Sequence, residues 1–390
     1  MKKTLCLAFT SISLISFSSH ASTFTDPIDG MFDMGEYLAE NAYGFLPVPI
    51  VITEPAVGFG AGMFGVFLHE NEQEKEKRKK QALHSLDGGA RLIPPAVTVF
   101  GGAATENGTW FAAFGHRRTW KQDSIRYMGG AGYGNAFVDV GGLFERTIET
   151  DTKGLGGIQH LQFRMDDSDL FLGFSQSYIR SEIRSSNNFV DAIFKRRFGE
   201  SSTTSGLGIT LEYDTTNSFF FPTEGMSIET EYKWYRDAFG SDFEYDTFAF
   251  SVTKYQPLSS RFTLVGYATL DSLEQKEESN APNFPGLSLP PLAKPYIDMR
   301  GIAAYAYSGD TVSTLQAQLM WHIGPRWSLL GFGGVGSVAD QASNLYSENE
   351  WAYGVGFRYQ IARRYGIHMG MDFAFSDDEN AFYFNLGSGF

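Results

Sequence analysis

From about Pro55 to the C-terminus, apolar and polar residues alternate along the chain with a period of two. In Trp351–Ile361 the odd positions are aromatic or aliphatic, and the even positions carry Gly, Ala, Arg and Gln. A period of two places successive side chains on opposite faces of a β-strand. The pattern therefore predicts strands with one apolar and one polar face. It recurs in Leu207–Asp214, Met226–Tyr235, Leu315–Ile323 and Tyr365–Phe375.

The alternating segments predict about sixteen strands, an even number of the kind that bacterial single-chain membrane barrels have. The predicted spans are 56–69, 94–105, 108–120, 123–134, 136–150, 152–166, 168–182, 203–216, 225–238, 242–256, 260–273, 311–323, 326–337, 351–361, 364–375 and 381–390. Short connections follow the even-numbered strands. The long connections follow odd-numbered strands, at 70–93, 183–202, 274–310 and 338–350. This arrangement predicts periplasmic termini and turns, with long loops, including the charged run Glu70–Lys80, outside.

The composition of the two phases favours a membrane barrel over a soluble β-sandwich. Trp, Tyr and Phe recur at the ends of the predicted strands, where an interfacial girdle would lie, and Glu, Lys, Arg, His and Gln occupy mid-strand positions of the polar phase. Such residues suit a wet lumen and would be costly in a dry core. The predicted fold class is all-β, a transmembrane antiparallel β-barrel. A soluble secreted β-protein is the alternative.

The N-terminus has the features of a secretory signal. Lys2 and Lys3 precede an apolar stretch, and Ser19-His20-Ala21 resembles a cleavage site. The predicted organisation is a signal peptide at 1–21, a short periplasmic leader at 22–47 and a barrel domain at 48–390. Cys6, the only cysteine, lies in the signal, so the mature barrel is expected to use neither disulfides nor thiol chemistry.

The net charge and the expected location limit the classes of partner that the protein can have. The net charge is −14, and removal of the two signal lysines would make it −16, which argues against a nucleic-acid partner. We expect the protein in the cell outer membrane of a Gram-negative bacterium, surrounded by outer-membrane lipid. Four of the histidines, His116, His160, His322 and His368, are scattered and lie in no recognisable nucleophile or metal-binding motif. We therefore expect no enzymatic activity, metal or cofactor.

Three short motifs stand in the second half of the chain. Met299-Arg300-Gly301-Ile302 lies in the long loop before the last five strands. Asp214 begins a turn that continues through Phe221, Pro222 and Gly225. The final strand carries Phe384 and Leu386 and ends at Phe390.

In these motifs the chain resembles the BamA/TamA-type outer-membrane barrel superfamily, also called the bacterial surface antigen family. Phe332-Gly333-Gly334-Val335-Gly336 supports the resemblance, because it stands where the family has a Phe-x-Asp-x-Gly strand motif. The resemblance implies that the long loop folds into the lumen. Arg300 would then pair with an acidic residue of the wall and hold Met299–Ile302 as an internal latch.

The resemblance also has departures and further implications. The family's Asp is Gly334 here, so the candidate partners of Arg300 are Asp340, Glu350 and Asp372. The terminal aromatic strand implies recognition by the barrel-assembly machinery during biogenesis. Residues 22–47 leave no room for periplasmic client-binding domains, as in the subclass without them.

Three functions follow as alternatives. The leading one is a membrane-biogenesis or translocation barrel that moves or inserts protein or lipid cargo through a loop-gated lumen. The second is a porin-like or solute-specific channel, favoured by the polar lumen phase. The third, with the least support, is an outer-membrane lipid-modifying enzyme.

Overall fold

The computed structural model describes residues 24–35, 37, 46–69, 73, 76, 96–143, 146–276 and 288–389. Sixteen antiparallel strands form one sheet in which each strand pairs with its sequence neighbours, and the sheet curls into a nearly closed barrel. The strands are β1 Leu46–Ile52, β2 Gly60–His69, β3 Ala96–Thr105, β4 Trp110–Trp120, β5 Ile125–Leu143, β6 Arg146–Arg164, β7 Leu170–Arg184, β8 Ser202–Asp214, β9 Gly225–Tyr235, β10 Tyr245–Ser259, β11 Phe262–Gln275, β12 Thr311–His322, β13 Trp327–Ala339, β14 Glu350–Ala362, β15 Ile367–Ser376 and β16 Asn380–Leu386. The predicted fold class and strand number are confirmed.

The alternation of sequence becomes an alternation of exposure. In β8, Leu207, Ile209 and Leu211 are exposed, whereas Gly208 and Thr210 between them are buried. The apolar phase thus forms the outer wall and the small or polar phase faces inward, as a membrane barrel requires. No helix in the described part of the chain has the length and apolarity of a membrane span.

The two ends of the barrel differ. The turn end carries the connections 165–169, 215–224, 260–261, 323–326 and 363–366; the loop end carries 185–201, 236–244, 288–310 and 340–349. Helix α1, Asn188–Phe198, lies in the loop between β7 and β8 and is capped by the Asn187 side chain. Its Phe194 is fully buried in a cluster with Phe243 and Leu289 at the loop end. Short 3-10 helices occur at Asp237–Phe239, Pro291–Ala293, Ala342–Asn344 and Arg363–Tyr365.

The prediction for the first third of the barrel was wrong in two places that cancel in the strand count. Strand β1 lies at Leu46–Ile52, across the predicted boundary between leader and barrel and before the first predicted strand. Pro47 and Pro49 hid it, because proline in a strand is compatible only with an edge, a strand start or a bulge. The three strands predicted within 123–166 are two long strands, β5 and β6. Each has 19 residues, well beyond the roughly 9–11 that cross a bilayer, so both strands continue beyond the membrane.

Because of these two errors, the early connections between strands were predicted at the wrong end of the barrel. Strand β2 ends at His69 and β3 begins at Ala96 at the turn end, so 70–93 does not connect strands at the loop end as predicted. Most of the charged run Glu70–Lys80 within this connection lies outside the described residues. The short connection after Thr105, predicted at the turn end, lies at the loop end instead.

The sheet has a seam between its first and last strands. Among the described residues β1 pairs with β2 and β16 pairs with β15, and β1 and β16 are not hydrogen-bonded neighbours in the strand order. Pro47 and Pro49 share one phase of β1, and neither can donate a backbone hydrogen bond. Since β1 is hydrogen-bonded to β2 on one side, two prolines in one phase are best tolerated when their nitrogens face the seam.

Candidate functional site

The loop that contains Arg300 is tied at its base. Tyr296 and Ser308 form an isolated antiparallel bridge, the Ile297 N–H donates to the Tyr307 carbonyl at 2.9 Å, and the Gly309 N–H donates to the Pro295 carbonyl at 3.0 Å. Residues 296–308, named here the arginine loop, are therefore a compact unit. Its position is fixed further by Glu54, whose Oε1 accepts the Ala304 N–H at 3.1 Å.

Gly301 sits where the arginine loop comes closest to the wall. Its φ is +95°, a value that side chains disfavour, and a Cβ there would lie 3.2 and 3.3 Å from the Ala374 and Ala352 side chains. The Gly301 N–H donates to the Tyr383 hydroxyl of β16 at 3.0 Å. Met299 and Ile302, on either side, are buried in a cluster with Val312 and Ala352. Both the backbone angle and the close approach require glycine here.

Arg300 contacts three strands at once. Its Nη1 donates to Asp372 Oδ2 on β15 at 2.7 Å, and its Nη2 donates to Gln318 Oε1 on β12 at 2.9 Å. The guanidinium carbon lies 3.6 Å from the centre of the Phe332 ring on β13, a cation–π distance. Burial lowers the pKa of Arg300, and the Asp372 carboxylate acts in the opposite direction.

Among the three candidate partners, the structure brings Asp372 to Arg300. Asp372 is fully buried and also accepts from Arg358, with Nη1–Oδ1 at 2.6 Å and Nη2–Oδ2 at 2.9 Å, and from Asn385 at 2.7 Å. One carboxylate thus joins two guanidiniums, which is the geometry of a strong charge-assisted network. Asp340 follows the end of β13, and Glu350 begins β14 at the loop end.

The end of the chain joins the same network. Arg358 Nε donates to the Gly387 carbonyl at 2.9 Å, and Gln318 Nε2 donates to the Ser388 carbonyl at 3.2 Å. Of the predicted assembly signal, Phe384 and Leu386 are exposed on the outer face of β16, and Phe390 lies outside the described residues. The contacts of Arg300 therefore reach both the wall and the segment that follows the last strand.

The predicted turn motif lies at the turn end of the barrel, opposite to the end that carries the arginine loop. Asp214 Oδ1 accepts the Thr216 N–H at 3.0 Å, and Gly225 has a φ of +108°. Phe221, followed by Pro222, is buried in a cluster with Tyr255, Val265, Met320 and Leu330. Its ring stacks on His368 with centroids 3.9 Å apart. The turn 215–224 thus packs against inner-phase residues at the turn end.

The sequence did not reveal two residues of the Arg300 site or the contact between the leader and the turn end. Arg358 and Gln318 stand in the polar phase of their strands, so their inward direction was readable but their convergence on Asp372 and Arg300 was not. The leader was predicted only as a short periplasmic segment, part of which lies outside the described residues. Instead, Asp26, Asp29 and Asp33 bind Arg326 at the turn end.

His322 and Ser328 form a histidine–serine contact near the turn end of the barrel. The His322 Nδ1 lies 2.9 Å from the Ser328 hydroxyl oxygen, and its Nε2 lies 3.2 Å from the Thr263 hydroxyl oxygen. A base that activates a serine is usually oriented by a carboxylate, and here the second nitrogen contacts a hydroxyl. Ser328 is also buried. This pair therefore lacks the orienting carboxylate of a serine–histidine catalytic triad.

The fold and site define a sixteen-stranded membrane barrel with an arginine loop packed against its wall. The family model of the Omp85 superfamily domain matches residues 146–284, which confirms the predicted resemblance to this superfamily of outer-membrane barrels. No curated protein matches the chain.

Solved structures of similar fold extend over most of the chain. BamA from Haemophilus ducreyi, in a form lacking POTRA domains 1–3, is 12% identical with a TM-score of 0.54, covering 87% of this chain and 68% of that one. CdiB from Escherichia coli is 10% identical with a TM-score of 0.52, covering 86% of this chain and 61% of that one. CdiB from Acinetobacter baumannii is 9% identical with a TM-score of 0.52, covering 88% and 59%. The chain spans about three-fifths of the two CdiB chains, and the likeness concerns the fold.

Proposed function

We propose that this protein is an outer-membrane barrel of membrane biogenesis or translocation, whose lumen is closed at rest by the arginine loop. The observation that carries the proposal is the contact of Arg300 with Asp372, Gln318 and Phe332. A loop that needed only to be soluble would not bury a cation against three strands, because burying an unpaired charge is costly. Here the cation is paired, so the loop is held in one place and is released when the pair breaks.

The seam between β1 and β16 supports insertion or lateral release rather than simple conduction. A strand edge with unpaired backbone groups can template pairing with another strand. In this barrel the prolines of β1 weaken the edge on one side of the seam. On the other side the Gly301 N–H holds Tyr383 of β16. The arginine loop is thus bonded to a seam strand as well as to the wall, so loop release and seam opening are coupled in the proposed mechanism.

Partners follow from this role and are part of the proposal. The cargo is a protein or a lipid that enters from the periplasm. In the proposed orientation, the turn end lies in the periplasm and the loop end lies outside the cell. The outer-face residues contact outer-membrane lipid. The barrel-assembly machinery would act on the last strand during biogenesis.

A solute channel is the second candidate, and one cavity favours it. A cavity of about 260 Å³ is lined by inner-phase residues that include Glu229, Glu231, Asp271 and His160. Glu231 is paired with Lys233 at 2.9 Å, and no ion pair of Glu229 or Asp271 is seen within the described residues. An acidic lining of this kind would favour cations in a conducting lumen.

Planar-bilayer conductance tests the proposal. Because Tyr296 and Ser308 are bridged, residues 297–307 can be replaced by two glycines without stretching the base of the loop. We expect the wild type to be closed or to flicker and the shortened variant to conduct steadily. Arg184→Ala, which removes ion pairs with Glu182 and Glu200 at the loop end, is the control and should behave as wild type. Equal, steady conductance from wild type and shortened variant would favour the channel.

A further inference from the structure

The leader segment 24–33 is fixed to the turn end by a dense set of ion pairs. Arg326, which has no solvent exposure, donates from Nη2 to Asp26 at 2.8 Å, from Nε to Asp29 at 2.5 Å and from Nη1 to Asp33 at 2.5 Å. Arg363 of the next turn also binds Asp26, with Nε–Oδ2 at 2.5 Å. A guanidinium held by three carboxylates is oriented rigidly. The segment is therefore docked in one orientation.

The other side of the same segment is apolar and exposed. Phe24, Ile28, Met31 and Phe32 have 38, 57, 37 and 51% of their surface exposed, and Phe24 stacks on Phe32. The carboxylates thus point to the barrel turns and the apolar side chains point away. This is the reverse of a segment that faces water, and isolated soluble segments do not expose such a patch without a partner.

The apolar side is continuous with the membrane-facing wall. Tyr359 donates to the Phe32 carbonyl at 2.7 Å, and the Met34 N–H donates to the Ile361 carbonyl at 2.7 Å, so the segment lies along the outer face of β14. Tyr359, Ile361 and Trp327 belong to the outer phase of their strands at the turn end. Trp327 and Tyr359 contact each other at the turn end, and such aromatic residues are typical of the membrane–water interface.

Between the leader and the wall lies an apolar groove. Its volume is about 680 Å³, and its lining includes Met31, Phe32, Trp327, Tyr359, Met369 and Phe384. The volume falls within the roughly 300–1,000 Å³ of small-molecule sites. Trp327, Met369 and Phe384 are exposed on the apolar outer face of their strands, so in a membrane the groove opens toward lipid.

We propose that residues 24–33 form an interfacial membrane element, seated in the leaflet at the turn end, and that the groove behind Phe32 holds a phospholipid acyl chain. The ion pairs with Arg326 and Arg363 fix the element, and the exposed apolar side chains enter the leaflet. Binding of this type depends on buried apolar area. The ligand is the acyl chain of a diacyl phospholipid, whatever its headgroup.

Site-directed spin labelling in phospholipid nanodiscs tests the membrane placement. A Cys6→Ser background removes the only thiol of the chain. Nitroxides at Phe32→Cys and Ile28→Cys are compared with Leu264→Cys on the outer wall and Ser168→Cys in an aqueous turn at the same end. We expect positions 28 and 32 to show high collision rates with oxygen and low rates with a nickel chelate, as position 264 does. Rates like those at 168 would overturn the proposal, and protection from both reagents would point to a covering protein instead.

Native mass spectrometry tests the groove separately. At a detergent concentration that strips most lipid, the wild type should retain one phospholipid more than Phe32→Asp, with phosphatidylcholine and phosphatidylglycerol alike. Phe189→Asp is the control, because Phe189 is a 74% exposed aromatic in the loop-end helix. It should retain the same lipid as wild type. Equal retention by Phe32→Asp and wild type would exclude a seated acyl chain, and dependence on one headgroup would contradict an acyl-chain site.

Discussion

Arg300 and Asp372 lie 72 positions apart in the sequence and meet with a nitrogen–oxygen distance of 2.7 Å, one on a loop and the other on strand β15. The carboxylate that receives Arg300 is already bound by Arg358 and Asn385. The loop cation is therefore the second guanidinium on a carboxylate that the wall already satisfies. Asp372 would therefore keep two partners if the loop left, as the proposed release of the loop requires.

Arg300→Ala should open the barrel without unfolding it. The substitution removes hydrogen bonds to a charged group, a loss of about 1.5–3 kcal/mol for the loop contact, while Asp372 keeps Arg358 and Asn385. We expect higher bilayer conductance and faster protease cleavage in 296–308. The heat-modified mobility of the barrel on gels should stay as in wild type. Unchanged conductance and cleavage would show that Arg300 does not hold the loop.

Asp372→Asn should be more damaging than Arg300→Ala. It leaves two buried guanidiniums, Arg300 and Arg358, without their carboxylate, and breaking a buried pair in this way costs about 3–5 kcal/mol. We expect a lower unfolding temperature in the gel-mobility assay as well as an open pore. If Asp372→Asn were no less stable than Arg300→Ala, the shared-carboxylate interpretation would be wrong.

Conductance should fall as the pH is lowered. Burial raises the pKa of Glu54, which accepts the Ala304 N–H, and burial also raises the pKa of Asp298 in the arginine loop. For a carboxyl whose folded pKa is raised, the stabilisation is complete below its usual pKa and is lost as the pH rises through the raised value. The docked loop is thus favoured at acidic pH. A Glu54→Gln/Asp298→Asn double variant should lose this pH dependence; a wild type that opens on acidification would contradict the prediction.

The leader should respond to acid in the opposite sense. Burial opposes ionisation of Asp26, but hydrogen bonds from Arg363 and from the Ile28 N–H, with the charges of Arg363 and Arg326, outweigh it and lower its pKa. The Asp29 pKa is also lowered, because its contacts with Arg326 outweigh burial. Stability from such groups is present above their usual pKa and lost as the pH falls through the lowered values. A nitroxide at Phe32→Cys should become mobile only at strongly acidic pH. Release at neutral pH would mean that the carboxylates do not hold the segment.

Replacing both prolines of β1 should strengthen the seam. Pro47→Ala/Pro49→Ala adds two N–H donors on the strand that faces β16, each worth about 1 kcal/mol if bonded. We expect a higher unfolding temperature and slower exchange of β16 amides. Pro257→Ala near the end of β10, where Pro257 pairs with Thr263 of β11 away from the seam, is the control and should change neither property. No gain from the double variant would show that proline does not limit β1–β16 pairing.

Much of the fold was predictable because the two faces of a barrel strand meet lipid and lumen, so apolar and polar residues alternate along the sequence. Trp351–Ile361 shows this directly, since its apolar phase is the outer wall. The prediction failed at β1, where Pro47 and Pro49 interrupt the propensity signal, and in β5 and β6, where the strands continue beyond the membrane. For the site, the loop position of Arg300 was readable from its motif. Its position beside Asp372 depends on barrel curvature and loop path, which no local pattern contains.

The paired aspartates of the leader have a consequence for the order of assembly. Arg326 belongs to the turn between β12 and β13, and Arg363 belongs to the turn between β14 and β15. Residues 26–33 find their complete set of partners only after both hairpins exist. This segment is synthesised before the hairpins that bind it and is thus among the last to settle, and its docking marks a barrel whose C-terminal hairpins are already in register.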